Sequence, residues 1–204
     1  IVSPGISKNS KVIKDAAKLN IPVLSEIEFA FHFTKSPIIA ITGSNGKTTT
    51  SKILFDMLKN TNVKPVLGGN IGISFSEQVL FEKIKPKKNQ IYILEISSFQ
   101  LEMIKNFKPN IAIFLNISND HLDRHITMNE YIKMKFRLIE NMVKKDIVIY
   151  NGDDEILVKG FKNIAQDKIK FSIKSKTRHF SLINGCVFND KNKNILSENN
   201  FSIP

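Results

Sequence analysis

Hydrophobic residues in this chain come in short unbroken runs. Each run is followed by a polar or glycine-bearing loop and then by a stretch with apolar positions three and four apart. That pattern predicts strand, loop and helix in alternation, because a strand buried on both faces needs no polar positions while a surface helix needs one apolar stripe. The clearest unit begins at Ile38. "IIAIT" at 38–42 predicts a strand, and 47–59 a helix with Ile53, Leu54, Met57 and Leu58 on one side. "KPVLGGNIG" at 64–72 predicts a short strand entering a glycine-rich loop. "QIYILEIS" at 90–97 is the next strand, followed by a helix in "FQLEMIKNF", and "NIAIFLNIS" at 110–118 is another. Thr127 with Glu130 forms a capping box opening a helix over 128–143, and "DIVIYN" at 146–151 ends the series.

The flanks read differently. Ahead of Ile38, "SPG" at 3–5 is a turn, and Val12, Ile13, Ala16 and Ala17 sit at helical spacing within 9–19. "IPVL" at 21–24 predicts a strand, Ser25 with Glu28 a capping box for a helix to about Phe33, and Ser36-Pro37 a boundary. Beyond about residue 165, "IKFSI", "HFSLING" and "CVFND" alternate as antiparallel strands do, with Asn184-Gly185 as a hairpin turn. The fold class is therefore α/β: a mostly parallel sheet flanked by helices, with a small antiparallel section at the end.

Composition narrows the picture. The 204 residues are 42 % apolar, enough for a core, and no apolar run approaches a membrane span. The opening "IVSPGISKNS" carries neither a starting methionine nor a basic leader with a long apolar stretch. The expectation is a piece of a longer cytoplasmic protein that begins mid-strand. A single cysteine, Cys186, excludes an internal disulfide, and it reads as a small hydrophobe. The net charge of +11 is spread over scattered lysines, with small clusters at Lys85, Lys87, Lys88 and at Lys174, Lys176, Arg178. Without an aromatic-interleaved basic stripe, this reads as solvated surface rather than a nucleic-acid-binding face.

In sheets of this class, ligands lie beyond the carboxyl ends of the strands. Five loops qualify: Gly43 to Thr49, Gly68 to Gly72, Glu95 to Ser98, Asn116 to His125, and Asn151 to Asp154. In the first, Gly43 and Gly46 let a loop close around an anion, and a helix starting near Lys47 turns free N–H groups toward it. Lys47 can meet nucleotide phosphates and Thr48 can ligate Mg²⁺. The loop is a shortened G-x-x-G-K-T, since the usual phosphate-loop spacing would require glycine where Ile41 stands. Glu95 ends a strand and is either a Mg²⁺ ligand or an ion-pair partner of Lys47. Asp120, His121, Asp123 and His125 share one loop that suits a hard metal or phosphate better than zinc. Lys135 has Tyr131, Ile132, Leu138 and Ile139 at helical spacing, so it leaves the packed side of its helix, either snorkelling or held desolvated near the sheet edge.

Taken together, "TGSNGKTTT", "GGNIG", "LEISSFQLE", "NDHLDRH" and "YIKMKFRLIEN", in this order and spacing, closely resemble the Mur ligases. "GGNIG" and "SSFQLE" are the most discriminating, resembling the branch that joins D-glutamate to UDP-N-acetylmuramoyl-L-alanine in peptidoglycan precursor synthesis. The resemblance implies that residues 1–36 end a Rossmann-like nucleotide-sugar-binding domain and that 37–204 form the central P-loop-type ATPase domain. It implies ATP and two Mg²⁺ ions as cofactors and a monomeric enzyme. Gly43, Ser44, Asn45, Gly46, Lys47, Thr48 and Thr49 would bind ATP. Thr48 and Glu95 would hold one Mg²⁺, His121 and a carbamylated Lys135 the other. Carbamylation consumes a neutral amine, which desolvation favours. Ser3, Pro4, Gly5, Asn70, Ser97 and Gln100 would contact the nucleotide-sugar substrate. Lys47, Glu95, His121 and Lys135 would be the catalytic set.

The implied reaction starts when the precursor carboxylate attacks the γ-phosphate, giving an acyl phosphate and ADP. The amine of D-glutamate then attacks that acyl phosphate and phosphate leaves. The family's uracil-binding segment and its amino-acid-binding C-terminal domain have no counterpart in these 204 residues, so the expectation for this chain alone is weak MgATP binding and no ligation. A sister ligase adding another amino acid, or a generic P-loop NTPase, is the alternative.

Overall fold

The computed structural model describes residues 1–7, 9–118, 127–177, 179–183, 186–189 and 194–197. Helix α1 (Lys11–Lys18) and helix α2 (Glu26–Phe31) precede strand β1 (Ile38–Thr42), helix α3 (Lys47–Lys59), strand β2 (Lys64–Gly69), helix α4 (Phe75–Ile84) and strand β3 (Gln90–Glu95). A 3₁₀ turn (Gln100–Met103) leads to strand β4 (Ile111–Phe114), helix α5 (Met128–Phe136) with a 3₁₀ extension (Arg137–Ile139), strand β5 (Ile147–Asn151) and helix α6 (Glu155–Gly160). Strands β6 (Asp167–Ser172), β7 (Phe180–Ile183), β8 (Cys186–Phe188) and β9 (Asn194–Ser197) follow.

The nine strands among the described residues form one sheet in the order β2-β3-β1-β4-β5-β6-β7-β8-β9. Pairing is parallel from β2 through β7 and antiparallel only at β7–β8 and β8–β9. From β1 the chain steps outward to the edge strand β2, returns to β3 against β1, then crosses to β4 on the other side of β1. The direction of winding reverses there, which makes the carboxyl end of β1 the switch point of the sheet.

The two faces of β1 explain its unbroken apolar run. Ile39 and Ile41 pack with Ile93 against Leu54, Phe55 and Leu58 of α3. Ile38 and Ala40 face the larger core, which gathers Phe75 and Val79 of α4, Tyr131 of α5, and Phe114 with Phe161. Phe114 and Phe161 meet edge to face at 4.8 Å. No helix among the described residues is long and apolar enough to cross a membrane.

Several sequence expectations need correction. "IPVL" at 21–24 is not a strand: it finds no ladder, and only a bridge between Val2 and Ser25 forms beside it. "FQLEMIKNF" makes only the 3₁₀ turn, whose end is held by Arg137 donating to the carbonyls of Leu101 and Glu102, each at 2.7 Å, and Ile104 at 2.8 Å. The helix opened by Thr127 ends at Phe136 and tightens to 3₁₀ from Arg137. β6 and β7 are parallel, so the antiparallel section begins only at β8. On α3 the inner stripe is Ser51, Leu54, Phe55 and Leu58, while Ile53 and Met57 face outward. Helices α4 and α6 carry cap side chains, Ser74 and Asp154, that the periodicity did not expose. The Asn184-Gly185 turn and the side chain of Cys186 lie outside the described residues.

The Ser25–Glu28 pair is half a capping box. Ser25 Oγ accepts from the Glu28 N–H at 3.4 Å, but the Glu28 carboxylate is spent elsewhere. Fully buried, it accepts from the backbone N–H groups of Lys105 (2.8 Å), Asn106 (3.0 Å) and Phe107 (2.8 Å), and His32 Nε2 lies 3.1 Å away. Burial raises its pKa, but those N–H groups and His32 outweigh it and hold the carboxyl below its ordinary value. The depressed folded value fixes the sign. Glu28 contributes stability above its unfolded pKa of about 4.3 and loses it as pH falls through the lower folded value. Glu28→Gln is expected to cost about 2–3 kcal/mol at pH 7 and to flatten the acid loss of stability, as read by urea denaturation between about pH 7 and 3.

Candidate functional site

Register brings the site together. Ile41 on β1 and Gly69 on β2 both pair with Glu95 on β3, and Thr42 pairs with Phe114 on β4. The loops leaving β1, β2, β3 and β4 therefore start side by side at one edge of the sheet.

The first loop is built to approach something closely. A Cβ on Gly43 would lie 3.0 Å from Leu115 Cβ, so the loop lies hard against the end of β4. Ser44 N–H donates to Asn116 O at 2.9 Å, and the Asn116 side chain brackets Asn45, accepting from its N–H at 2.8 Å and donating to its carbonyl at 3.1 Å. Gly46 adopts φ +83° at the start of α3. Helices α2, α4, α5 and α6 each begin with a side chain bonded to the first turn; α1 and α3 do not, and α3 begins at a glycine, Gly46. Its first-turn N–H groups are left for a ligand at the positive end of the helix dipole.

The predicted lysines both turn to this loop. Lys47 Nζ donates to Gly43 O at 2.8 Å and Ser44 O at 2.9 Å, not to Glu95. Lys135 does not snorkel. It is 2 % exposed, its Nζ donates to the same Gly43 carbonyl at 2.9 Å, and it stands 4.7 Å above the Tyr131 ring. Ser44 joins the two elements: its Oγ lies 3.0 Å from Tyr131 OH, donates to Ser118 O at 3.1 Å and accepts from Ser118 N–H at 2.9 Å. Sequence reasoning named Asn116 only as the start of the fourth candidate loop and Tyr131 only as a neighbour of Lys135 one turn before it.

Glu95, 3 % exposed, accepts from Thr48 Oγ1 at 2.8 Å on Oε2 and from Asn70 Nδ2 at 3.1 Å on Oε1. Ser97 and Gln100 bond to each other, with Ser97 N–H donating to Gln100 Oε1 at 3.0 Å across the 3₁₀ turn. The Ser3-Pro4 turn lines a small cleft with Phe99, Glu102 and Met103 of that turn. His121, with Asp120, Asp123 and His125, lies outside the described residues. In the fifth loop, Asp154 is structural: it accepts from Ile117 N–H at 2.7 Å and caps α6 at Leu157. Asp153 accepts from the N–H of Ile173 at 2.7 Å and from the Ser172 hydroxyl. A cleft of about 420 Å³ that includes Val66, Phe81, Lys85 and Gln90 lies at the opposite, amino-terminal end of β2 and β3 and shares none of these loops.

These residues fit a magnesium nucleotide. The loop is a cradle that side chains larger than hydrogen would crowd at Gly43 and strain at Gly46, and Thr48 with Glu95 forms a hard-oxygen pair of the kind Mg²⁺ prefers.

Such a sheet, with a glycine-led helix start at its switch point, defines a P-loop-type α/β domain, and the family follows from the sequence match. Residues 41–200 match the Mur ligase middle domain, and the chain belongs to the Mur ligase family. It is 37 % identical to a UDP-N-acetylmuramoylalanine--D-glutamate ligase of Caldanaerobacter subterraneus subsp. tengcongensis, over all of this chain and 44 % of that protein. A ligase of the same name from Thermoanaerobacter pseudethanolicus is 40 % identical over 95 % of this chain and 42 % of its own length. The chain thus spans less than half of these relatives. Among solved structures, the UDP-N-acetylmuramate:L-alanyl-gamma-D-glutamyl-meso-diaminopimelate ligase of Neisseria meningitides shares the fold at TM-score 0.64 and 16 % identity, covering 91 % of this chain and 63 % of that one. A MurF ligase from Thermotoga maritima, solved in complex with ADP, aligns at TM-score 0.56 and 20 % identity over 90 % of this chain and 44 % of that one.

Ser44→Ala removes the hydroxyl that ties the phosphate loop to Tyr131 and Ser118. It is expected to lower unfolding stability by about 1–2 kcal/mol while retaining the fold, as measured by urea denaturation.

Proposed function

We propose that this chain supplies the ATP-handling part of a ligase that joins D-glutamate to UDP-N-acetylmuramoyl-L-alanine through an acyl phosphate. The observation that carries the nucleotide half is the uncapped, glycine-led start of α3 facing Glu95 across the ends of β1 and β3. The choice of D-glutamate is supported by the names of relatives at 37–40 % identity across nearly the whole chain.

In this reading Gly43 to Thr49 wrap the phosphates, with the first-turn N–H groups of α3 as donors. Lys47 exchanges its two loop carbonyls for phosphate oxygens, which remain within reach of its side chain. Thr48 and Glu95 hold a divalent cation, and Lys135, as a carbamate, belongs to a second cation with His121. Magnesium supplies positive charge that offsets the repulsion between the attacking carboxylate and the γ-phosphate. Residues 1–36 close a nucleotide-sugar domain whose Ser3-Pro4-Gly5 turn, together with Ser97 and Gln100, meets the precursor. The first step breaks the bond between the β-bridging oxygen and the γ-phosphorus as the carboxylate oxygen bonds to it. In the second step the D-glutamate amine bonds to the acyl carbon and phosphate departs. A monomeric, soluble enzyme of the cytoplasm is part of the same proposal.

Lys47→Ala is expected to lower kcat about 10²–10³-fold, equivalent to roughly 3–4 kcal/mol of barrier, in the full-length protein carrying this chain. The assay is ADP release with ATP, Mg²⁺ and UDP-N-acetylmuramoyl-L-alanine, comparing D-glutamate with L-alanine, L-lysine and diaminopimelate. Turnover only with D-glutamate is the expected outcome, and ADP release indifferent to amino acid and nucleotide-sugar would reduce the protein to an NTPase. The 204-residue chain by itself is expected to bind MgATP weakly and to form no amide product, checked by calorimetry and by product chromatography.

A further inference from the structure

The turn after β2 does more than leave room for a ligand. Gly69 sits at φ +92°, and a Cβ there would come 2.3 Å from the carbonyl oxygen of Glu95, so the chain passes directly over the end of β3. The close approach returns Asn70 to Glu95 twice. Its backbone N–H donates to the Glu95 carbonyl at 2.8 Å, and its side-chain Nδ2 donates to Oε1 at 3.1 Å. The Thr48 hydroxyl holds the other oxygen, Oε2, at 2.8 Å. Ionised, the carboxylate oxygens only accept, which fixes the Asn70 amide with its nitrogen toward Glu95.

We propose that Asn70 is a positioning residue, which sets the plane of the Glu95 carboxylate so that Glu95 and Thr48 present a fixed pair of oxygens to a divalent cation. The proposal rests on the reading of Glu95 as a cation ligand. The terminal torsion of a glutamate is broad and roughly two-fold, so a carboxylate held at one oxygen still swings. Donors on both oxygens, arriving from two different loops, leave it one plane. Each oxygen retains a lone pair for a metal. The chemistry also explains the residue type. A lysine or arginine at position 70 would orient the carboxylate equally well but would cancel the negative charge that a cation needs; a neutral amide orients without neutralising. The backbone bond to the Glu95 carbonyl anchors the amide although Asn70 itself is exposed.

A direct contact of Asn70 with the nucleotide-sugar, as the resemblance implies, would act on the affinity for that substrate; a positioning role acts on the cation. The two separate in a Mn²⁺ titration followed by electron paramagnetic resonance, with the full-length protein and ADP. Asn70→Ala is expected to weaken Mn²⁺ binding about 10–100-fold, while ADP affinity without metal stays near wild type and the protein stays folded with a lowered melting temperature from the donor lost at Glu95. Gly69→Ala, which keeps the amide but displaces it, is expected to produce the same loss of Mn²⁺, and Asn70→Ala decides should that variant fail to fold. Mn²⁺ affinity of Asn70→Ala within about twofold of wild type would overturn the proposal, whatever happens to the KM for UDP-N-acetylmuramoyl-L-alanine. Glu95→Gln separates the underlying reading: unchanged Mn²⁺ binding there removes Glu95 as a ligand, and the proposal with it.

Discussion

A carboxylate buried at the end of a central strand has to be satisfied, and much of the site's architecture can be traced to that need at Glu95. At 3 % exposure it is out of reach of bulk water, and an unpaired charge there would cost several kcal/mol. The sheet answers with register. Ile41 and Gly69 stop opposite Glu95, so the phosphate loop delivers Thr48 to one oxygen and the β2 loop delivers Asn70 to the other. Both donors are neutral. Among the described residues, Glu95 is therefore satisfied by two neutral donors without a lysine or arginine partner, the arrangement on which its proposed role as a cation ligand rests.

Two other acids of the fold show the contrast, Glu28 fully buried and Glu82 half-buried. Glu28 spends itself on three backbone N–H groups beyond the 3₁₀ turn. Glu82 accepts from Thr34 at 2.6 Å, Ser36 at 2.7 Å and Tyr92 at 2.9 Å. Burial raises the Glu82 pKa, but these hydroxyls outweigh it and hold it low; the same burial and the neighbouring Glu82 push the Tyr92 phenol up. Both acids lock the segment from Ser25 to Ser36 onto the sheet. Their oxygens are consumed by protein donors, so they serve as fasteners, while Glu95 keeps lone pairs to offer.

How far the sequence could be read follows from which interactions are local. β1 and α3 were legible because a strand buried on both faces and a glycine-led helix start are written in adjacent residues. β6 and β7 were not. Their alternation reflects half-exposure near the end of the sheet, where a parallel strand alternates as an antiparallel one does, so direction was not encoded locally. Helix α4 escaped because Leu80, Phe81 and Ile84 are apolar on its solvent side and blur the stripe formed by Phe75 and Val79. At the site, the spacing around Lys135 correctly placed it on the packed side. Its partner, the Gly43 carbonyl ninety-two residues away, lay beyond any local signal. The glycines of "GGNIG" announced a turn, yet only the pairing of β2 with β3 reveals that the turn closes on Glu95.

The charges at the phosphate loop carry the last step. Lys47 and Lys135 both donate to the Gly43 carbonyl oxygen, while Glu95 takes its donors from Thr48 and Asn70. Under the proposed function, an anion entering the loop would draw Lys47 away from Gly43, and a carbamate on Lys135 would turn a nitrogen donor into an oxygen ligand. They are complementary. On that proposal the first would seat the nucleotide and the second would give a ligand to the metal the nucleotide brings, which would explain why two lysines from distant elements converge on one loop carbonyl.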